Sequence, residues 1–137
     1  MIELVFVIVI LGVLAAVAIP RFAATRDDAQ IAKGRSDILT IRSGIINERQ
    51  ARMFRGDSSY ADDLNSNVGA DQPLFGDILA RPITSKAATV DGGWRKTANF
   101  TYAFRVMGVD VAFTYDPTNG TFECDRDVGT SCRLLTE

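Results

Sequence analysis

The sequence contains no histidine, two cysteines, four prolines and one tryptophan. Without histidine it lacks the usual general base and the commonest metal ligand. A Cys–His zinc site is excluded, and a lone cysteine pair makes a poor one. No nucleophile motif and no phosphate-binding glycine loop takes the place of these groups, so neither catalysis nor a cofactor is expected. A net charge of −2 names no nucleic-acid partner. There is no internal repeat and no low-complexity tract. Nor is there any basic residue before Arg21; the only charged side chain ahead of it is Glu3.

That stretch reads "MIELVFVIVILGVLAAVAIPRF", with sixteen uncharged residues from Leu4 to Ile19. Together with Met1 and Ile2 it makes about 28 Å of helix, close to the thickness of a bilayer's hydrocarbon core. A helix that is apolar all round belongs in lipid or in full burial, not on an amphipathic surface. A secretory signal peptide is one rival, but its n-region should be basic. A buried core helix is the other. About 115 residues remain outside the stretch, enough for one modest core. Arg21 and Arg26 follow the span, and the positive-inside rule, read naively, keeps the following domain in the cytoplasm. Removal of a basic leader after insertion would reverse that. Gly12 weakens the helix by about 1 kcal/mol relative to alanine. Pro20 lacks an N–H and crowds the carbonyl of Ala16, so a kink or opening is expected there.

Beyond Pro20 the pattern becomes one-sided. Ile31, Gly34, Ile38, Ile41 and Ile45 recur at spacings of three and four, a helical stripe that runs on toward Met53 and Phe54. Gly56-Asp57-Ser58-Ser59 reads as its stop. One helix of about fifty residues results, far beyond the usual globular length. Its first half must be covered by lipid or by other copies of the chain. Arg21–Arg55 holds eight basic and four acidic residues, and the chain from Gly56 onward holds seven and twelve. These are either two solvated surfaces or a self-complementary pair, basic segment of one copy against acidic part of another.

Residues 56–97 are rich in glycine and read as loop, with a short helical turn around Pro73–Ala80. Alternation then predicts three antiparallel strands, Asn99–Val106, Val109–Asp116 and Gly120–Asp125. Phe100, Tyr102 and Phe104 share one face, as do Val111, Phe113 and Tyr115. Such period-two aromatics are core that covers the isoleucine stripe. Nothing in the pattern places Trp94 inside or outside. Asn99-Phe100-Thr101 fits an N-glycosylation sequon but falls inside a predicted strand. Cys124 and Cys132 have seven residues between them. Export would let them form a disulfide contributing roughly 2–3 kcal/mol; otherwise they are two free thiols. The chain is therefore read as α+β in four parts: an apolar half-helix 1–24, an amphipathic half-helix 25–55, a connecting loop 56–97, and a sheet with its C-terminal loop, 98–137.

The opening "IELVFVIVILGVLAAVAIPRF" resembles the N-terminus of mature type IV pilins and of the related pseudopilins of type II secretion systems. The glutamate, the Val/Ile/Leu run, the glycine and the closing proline carry the resemblance from Ile2 to about Thr25; beyond it only the architecture is similar. The resemblance implies the type IV pilin fold. It also implies a prepilin peptidase that removes a short basic leader, N-methylation of the new terminus, and a subunit held in inner-membrane lipid. An assembly ATPase and platform protein then pack it into a helical homopolymer on the cell surface. Adhesion, motility and DNA uptake are roles of such pili; a secretion pseudopilus is the alternative, and a membrane-anchored periplasmic binding domain a remote one. Glu3, Gly12 and Pro20 take the assembly roles, with Glu3 paired to the terminal amine of a neighbouring subunit. The family places its glutamate two positions further from the mature terminus, so two residues are expected ahead of Met1. Some major pseudopilins bind calcium near the C-terminus, and Asp116–Thr121 offers oxygen ligands near Asp125 and Asp127. The spacing is not that of an EF-hand, and a hairpin turn accounts for Pro117, Asn119 and Gly120.

Overall fold

The computed structural model describes residues 1–65, 69–127 and 130–137, apart from the side chains of Pro20 and Ala23. Helix α1 spans Ile2–Phe54, 53 residues, or about 80 Å at 1.5 Å per residue. It remains helical through position 20; the side chain of Pro20, on which the expected kink depends, lies outside the described residues. The predicted stop is a Schellman closure. The Gly56 N–H donates to the Met53 carbonyl and the Asp57 N–H to the Arg52 carbonyl, at 3.0 Å each. Gly56 takes the left-handed φ of +88° that this motif needs.

Among the described residues six strands follow: β1 (Pro73–Leu74), β2 (Ile83–Thr84), β3 (Trp94–Ala98), β4 (Thr101–Val106), β5 (Val109–Asp116) and β6 (Thr121–Cys124). A second helix, α2 (Thr130–Thr136), comes after them. β1 and β2 pair antiparallel, and β3 to β6 form a four-stranded antiparallel meander in chain order. Together with α1 they make an α+β architecture: one long helix packed on one sheet, consistent with a pilin-like fold.

The meander is held in register by its turns. Met107 and Gly108 both take positive φ, 52° and 75°, so Val106 and Val109 pair across a two-residue turn of the primed type. Register then sets Tyr102 opposite Phe113 and Tyr115 opposite Phe122. Tyr102, Phe104, Val111, Phe113, Tyr115 and Phe122 are all buried, in one core with Ile38, Ile41 and Ile45 of α1. The aromatic rings interlock: Phe113 stacks on Phe122 at 5.3 Å, and Phe75 meets Trp94 edge-on at 5.8 Å.

Several expectations need correction. The sheet has four strands, because Trp94–Ala98 pairs with β4 in a segment read as loop. "WRKTA" carries one large apolar residue, so alternation could not reveal it. Trp94 is fully buried, and its indole donates to Asp37 Oδ2 at 3.1 Å. The short helical turn expected around Pro73–Ala80 is confined to residues 75–79, where the Leu79 N–H returns to the Phe75 carbonyl at 2.9 Å; Pro73–Leu74 ahead of it is strand. Asn99 and Phe100 form the β3–β4 turn, with Phe100 at φ 62° and partly exposed. Phe100 therefore does not share the core face, and the sequon asparagine sits at an exposed turn. The buried stripe of α1 ends at Ile45; Met53 and Phe54 are exposed. The cysteine-bounded segment runs into α2, which carries Cys132 and continues to Thr136; its seven residues are too few to show as a periodic pattern. It is fixed by tertiary contact instead, with Cys132 and Leu135 buried.

Candidate assembly surface

The residues assigned to assembly all lie on the first half of α1. None of its apolar window is buried within the subunit, and it is long and apolar enough to cross a membrane. Leu4, Phe6, Leu11, Leu14 and Ile19 are all exposed. Glu3 lies in the first turn, where a carboxylate complements the helix dipole. Its side chain has no partner among the described residues. Nothing stands within 4 Å of the place a Cβ would take on Gly12. Glu3 and Gly12 thus meet no partner among the described residues of one subunit. With Pro20, the three positions are spread over about 26 Å of helix.

The second half of α1 is anchored, and glycine sets its distance. A Cβ on Gly34 would come within 2.7 Å of Phe104 and Leu135 side-chain atoms, and one on Gly44 within 2.9 Å of the Ile78 carbonyl oxygen. A side chain at either point would force its neighbours aside, so the helix approaches both the sheet and α2 closely. Arg35, Arg42 and Arg49 then clip it to the head. Their Nε atoms donate to the carbonyls of Leu134 at 2.8 Å, Phe122 at 3.1 Å and Ser58 at 3.3 Å. Residues seven apart drift only ~20° per step around a helix, so the arginine spacing is the one sequence signal that could have found this row. Lys33, Arg52 and Arg55 pair with Asp37 and Glu48. Much of the basic excess of α1 is therefore neutralised within the subunit; Arg21 and Arg26 form no ion pair among the described residues.

Beside the arginine row runs an apolar line that the subunit leaves open. Leu39 is 64% exposed and Ile46 is 54% exposed; Ala32 and Met53 continue the same seven-residue spacing. This line carries the exposed face of the anchor upward along the head.

The loop after α1 is pinned by a polar cluster. Lys96 on β3, with its side chain only 5% exposed, donates to Asp63 Oδ2 at 2.5 Å and to the Asn65 carbonyl. The Tyr102 hydroxyl donates to Asp63 Oδ1 at 2.9 Å. Burial pushes the Asp63 carboxyl up, but these bonds and the Asn65 N–H outweigh it and hold the group below its ordinary value. Burial first, then Asp63, drives the Tyr102 hydroxyl far above its usual range. Burial also pushes Tyr115 up to about 12; its hydroxyl donates to the Ala61 carbonyl at 2.7 Å. These are structural groups, each satisfied within the head.

At the C-terminal end, Cys124 and Cys132 are joined in a disulfide with Cα atoms 5.9 Å apart, within the usual range. It ties β6 to α2. Two carboxylates of the candidate calcium segment accept hydrogen bonds that close turns. Asp116 accepts from the Thr118 hydroxyl and N–H, which holds its carboxyl below the ordinary value. Asp125 accepts from the Asp127 N–H at 2.9 Å. Among the described residues no three Asp, Glu or Cys side chains gather as a metal site would need. No family model matches the chain, and no curated protein or solved structure shows significant similarity to it.

Proposed function

We propose that this chain is the structural subunit of a helical filament of the type IV kind, a pilus in the favoured reading, and not an enzyme. One observation carries the reading: a single helix whose upper half is built into a folded head and whose lower half is apolar all round and, among the described residues, left uncovered. Lipid covers that half before assembly. Other copies cover it afterwards, side by side in the filament core. Prepilin peptidase and the assembly ATPase with its platform are the implied partners, and the cell-surface filament the implied location.

Glu3 fits both states. A carboxylate in a bilayer costs of order 3 kcal/mol on insertion scales. In a filament core, the terminal amine of a neighbour offsets that cost and is held strongly in a low dielectric. A subunit out of axial register leaves the charge buried and unpaired, a severe penalty. Glu3→Ala therefore inserts at least as well as the native chain but assembles poorly. Negative-stain microscopy of sheared cell surfaces tests the filament reading and the assembly role of Glu3. Filaments containing the native chain and few from Glu3→Ala are expected; normal filament yield from Glu3→Ala removes the role given to Glu3, and none from the native chain removes the filament reading.

A further inference from the structure

Two features of the head have no use within one subunit. The first is the upper end of α1. Phe54 is 92% exposed, a large apolar ring left in solvent, and Met53 beside it is 54% exposed. The next residue, Arg55, reaches Glu48 at 3.2 Å yet remains 67% exposed. Glu48 is shared with Arg52, which also reaches Asp57 at 3.6 Å, so Arg55 is the more exposed cation of this cluster and stands next to the bare ring. The second is a hollow of about 310 Å³ at the lower edge of the head, lined by Asp28, Ile31, Ala32, Arg35 and Leu134. Ile31, Ala32 and Leu134 are its apolar lining. Asp28 has no ion-pair partner among the described residues, and Arg35 is held in place by its bond to the Leu134 carbonyl.

We propose that the Phe54–Arg55 end of one copy seats in the Ile31–Ala32–Leu134 hollow of the next. The ring meets the apolar lining beside the Arg35 guanidinium, a favourable face for an aromatic ring, and Arg55 meets Asp28. The two features match in both polarity and charge, which fits a second copy of this chain rather than an unrelated apolar partner. They lie at different places on one molecule, so the contact is heterologous and repeats without closing. Both are on α1, about 34 Å apart along its axis. That distance sets the axial step between touching heads. The inference rests on the filament reading and adds to it a head-to-head link independent of the apolar core.

The test uses the full chain assembled on cells, with the Cys124–Cys132 bridge intact. Phe54→Cys and Ala32→Cys are combined in one chain, and sheared filaments are oxidised and run without reductant. A ladder of covalent oligomers is expected, while either single variant yields no ladder. In parallel, Asp28→Lys should lower filament yield at least tenfold, and adding Arg55→Glu should recover most of it. Phe54 is solvent-exposed, so Phe54→Ala leaves the head folded and should reduce yield as Asp28→Lys does. Filaments at native yield from Phe54→Ala, with no ladder from the paired cysteines, overturn the contact and leave the filament reading intact. No filaments from the native chain overturn both.

Discussion

The two halves of α1 are continuous in the backbone and opposite in what surrounds them. From Ile2 to Ile19 no described side chain is buried, and nothing approaches Gly12. From Ile31 to Ile45 one stripe is sealed against the sheet, and Phe104 and Leu135 crowd Gly34. The same residue type acts differently in each half. Gly34 is needed by the fold of one subunit. Gly12 has no role there, so any role it has must come from lipid or a neighbour.

Mutations can therefore separate folding from assembly. Trp94 is the sole tryptophan and is fully buried in the head, so its fluorescence in the detergent-solubilised full chain reports unfolding of the head alone. The largest contrast is expected between Ile41→Ala, which should cost about 3 kcal/mol through lost burial and a cavity, and Leu11→Ala, which should leave head unfolding unchanged. Equal effects would show that the lower half contributes to the head's stability. Next is Lys96→Met. It leaves Asp63 without its cation, and a loss of about 2 kcal/mol is expected in denaturant melts, with Tyr102→Phe losing less. Gly34→Ala should follow at about 1–2 kcal/mol, from overpacking against Phe104 and Leu135. Gly12→Ala should leave the head's melt unmoved, and any effect it has should appear in filament yield.

The smallest effect is in pH. Asp63 is held below its ordinary value of 3.8 in the folded head. Its contribution is fully present above the unfolded value and is lost as pH falls through the lower, folded one. The head should thus soften below about pH 4, and Asp63→Asn should flatten that part of the profile. An unchanged acid limb in Asp63→Asn would assign the loss to other carboxylates, Asp110 first. Its carboxyl is likewise held down, by the paired Arg95.

Much of this was legible in the chain. The span, its one carboxylate, the length of α1, the Gly56 stop and the two long strands all follow from local pattern, because each repeats a period or uses a turn residue of known geometry. What escaped had no period. β3 has one large apolar anchor in five residues. α2 has seven residues and stands on contacts with α1 and β5. Phe100 fits the alternation of a strand but occupies a turn, because register between β3 and β4 is set by their neighbours across the sheet.

Local spacing is enough to give one helix an apolar half and a striped half, since it selects what each face can meet. Where the stripe ends, that Trp94 closes the core, and that Arg35, Arg42 and Arg49 hold the helix to three separate segments of the head all depend on contacts made in the folded chain. The Trp94–Asp37, Arg42–Phe122 and Arg35–Leu134 bonds join residues 57, 80 and 99 positions apart. A local period records which face of an element is apolar; it holds no record of which distant carbonyl or carboxylate that face will meet once the chain has folded.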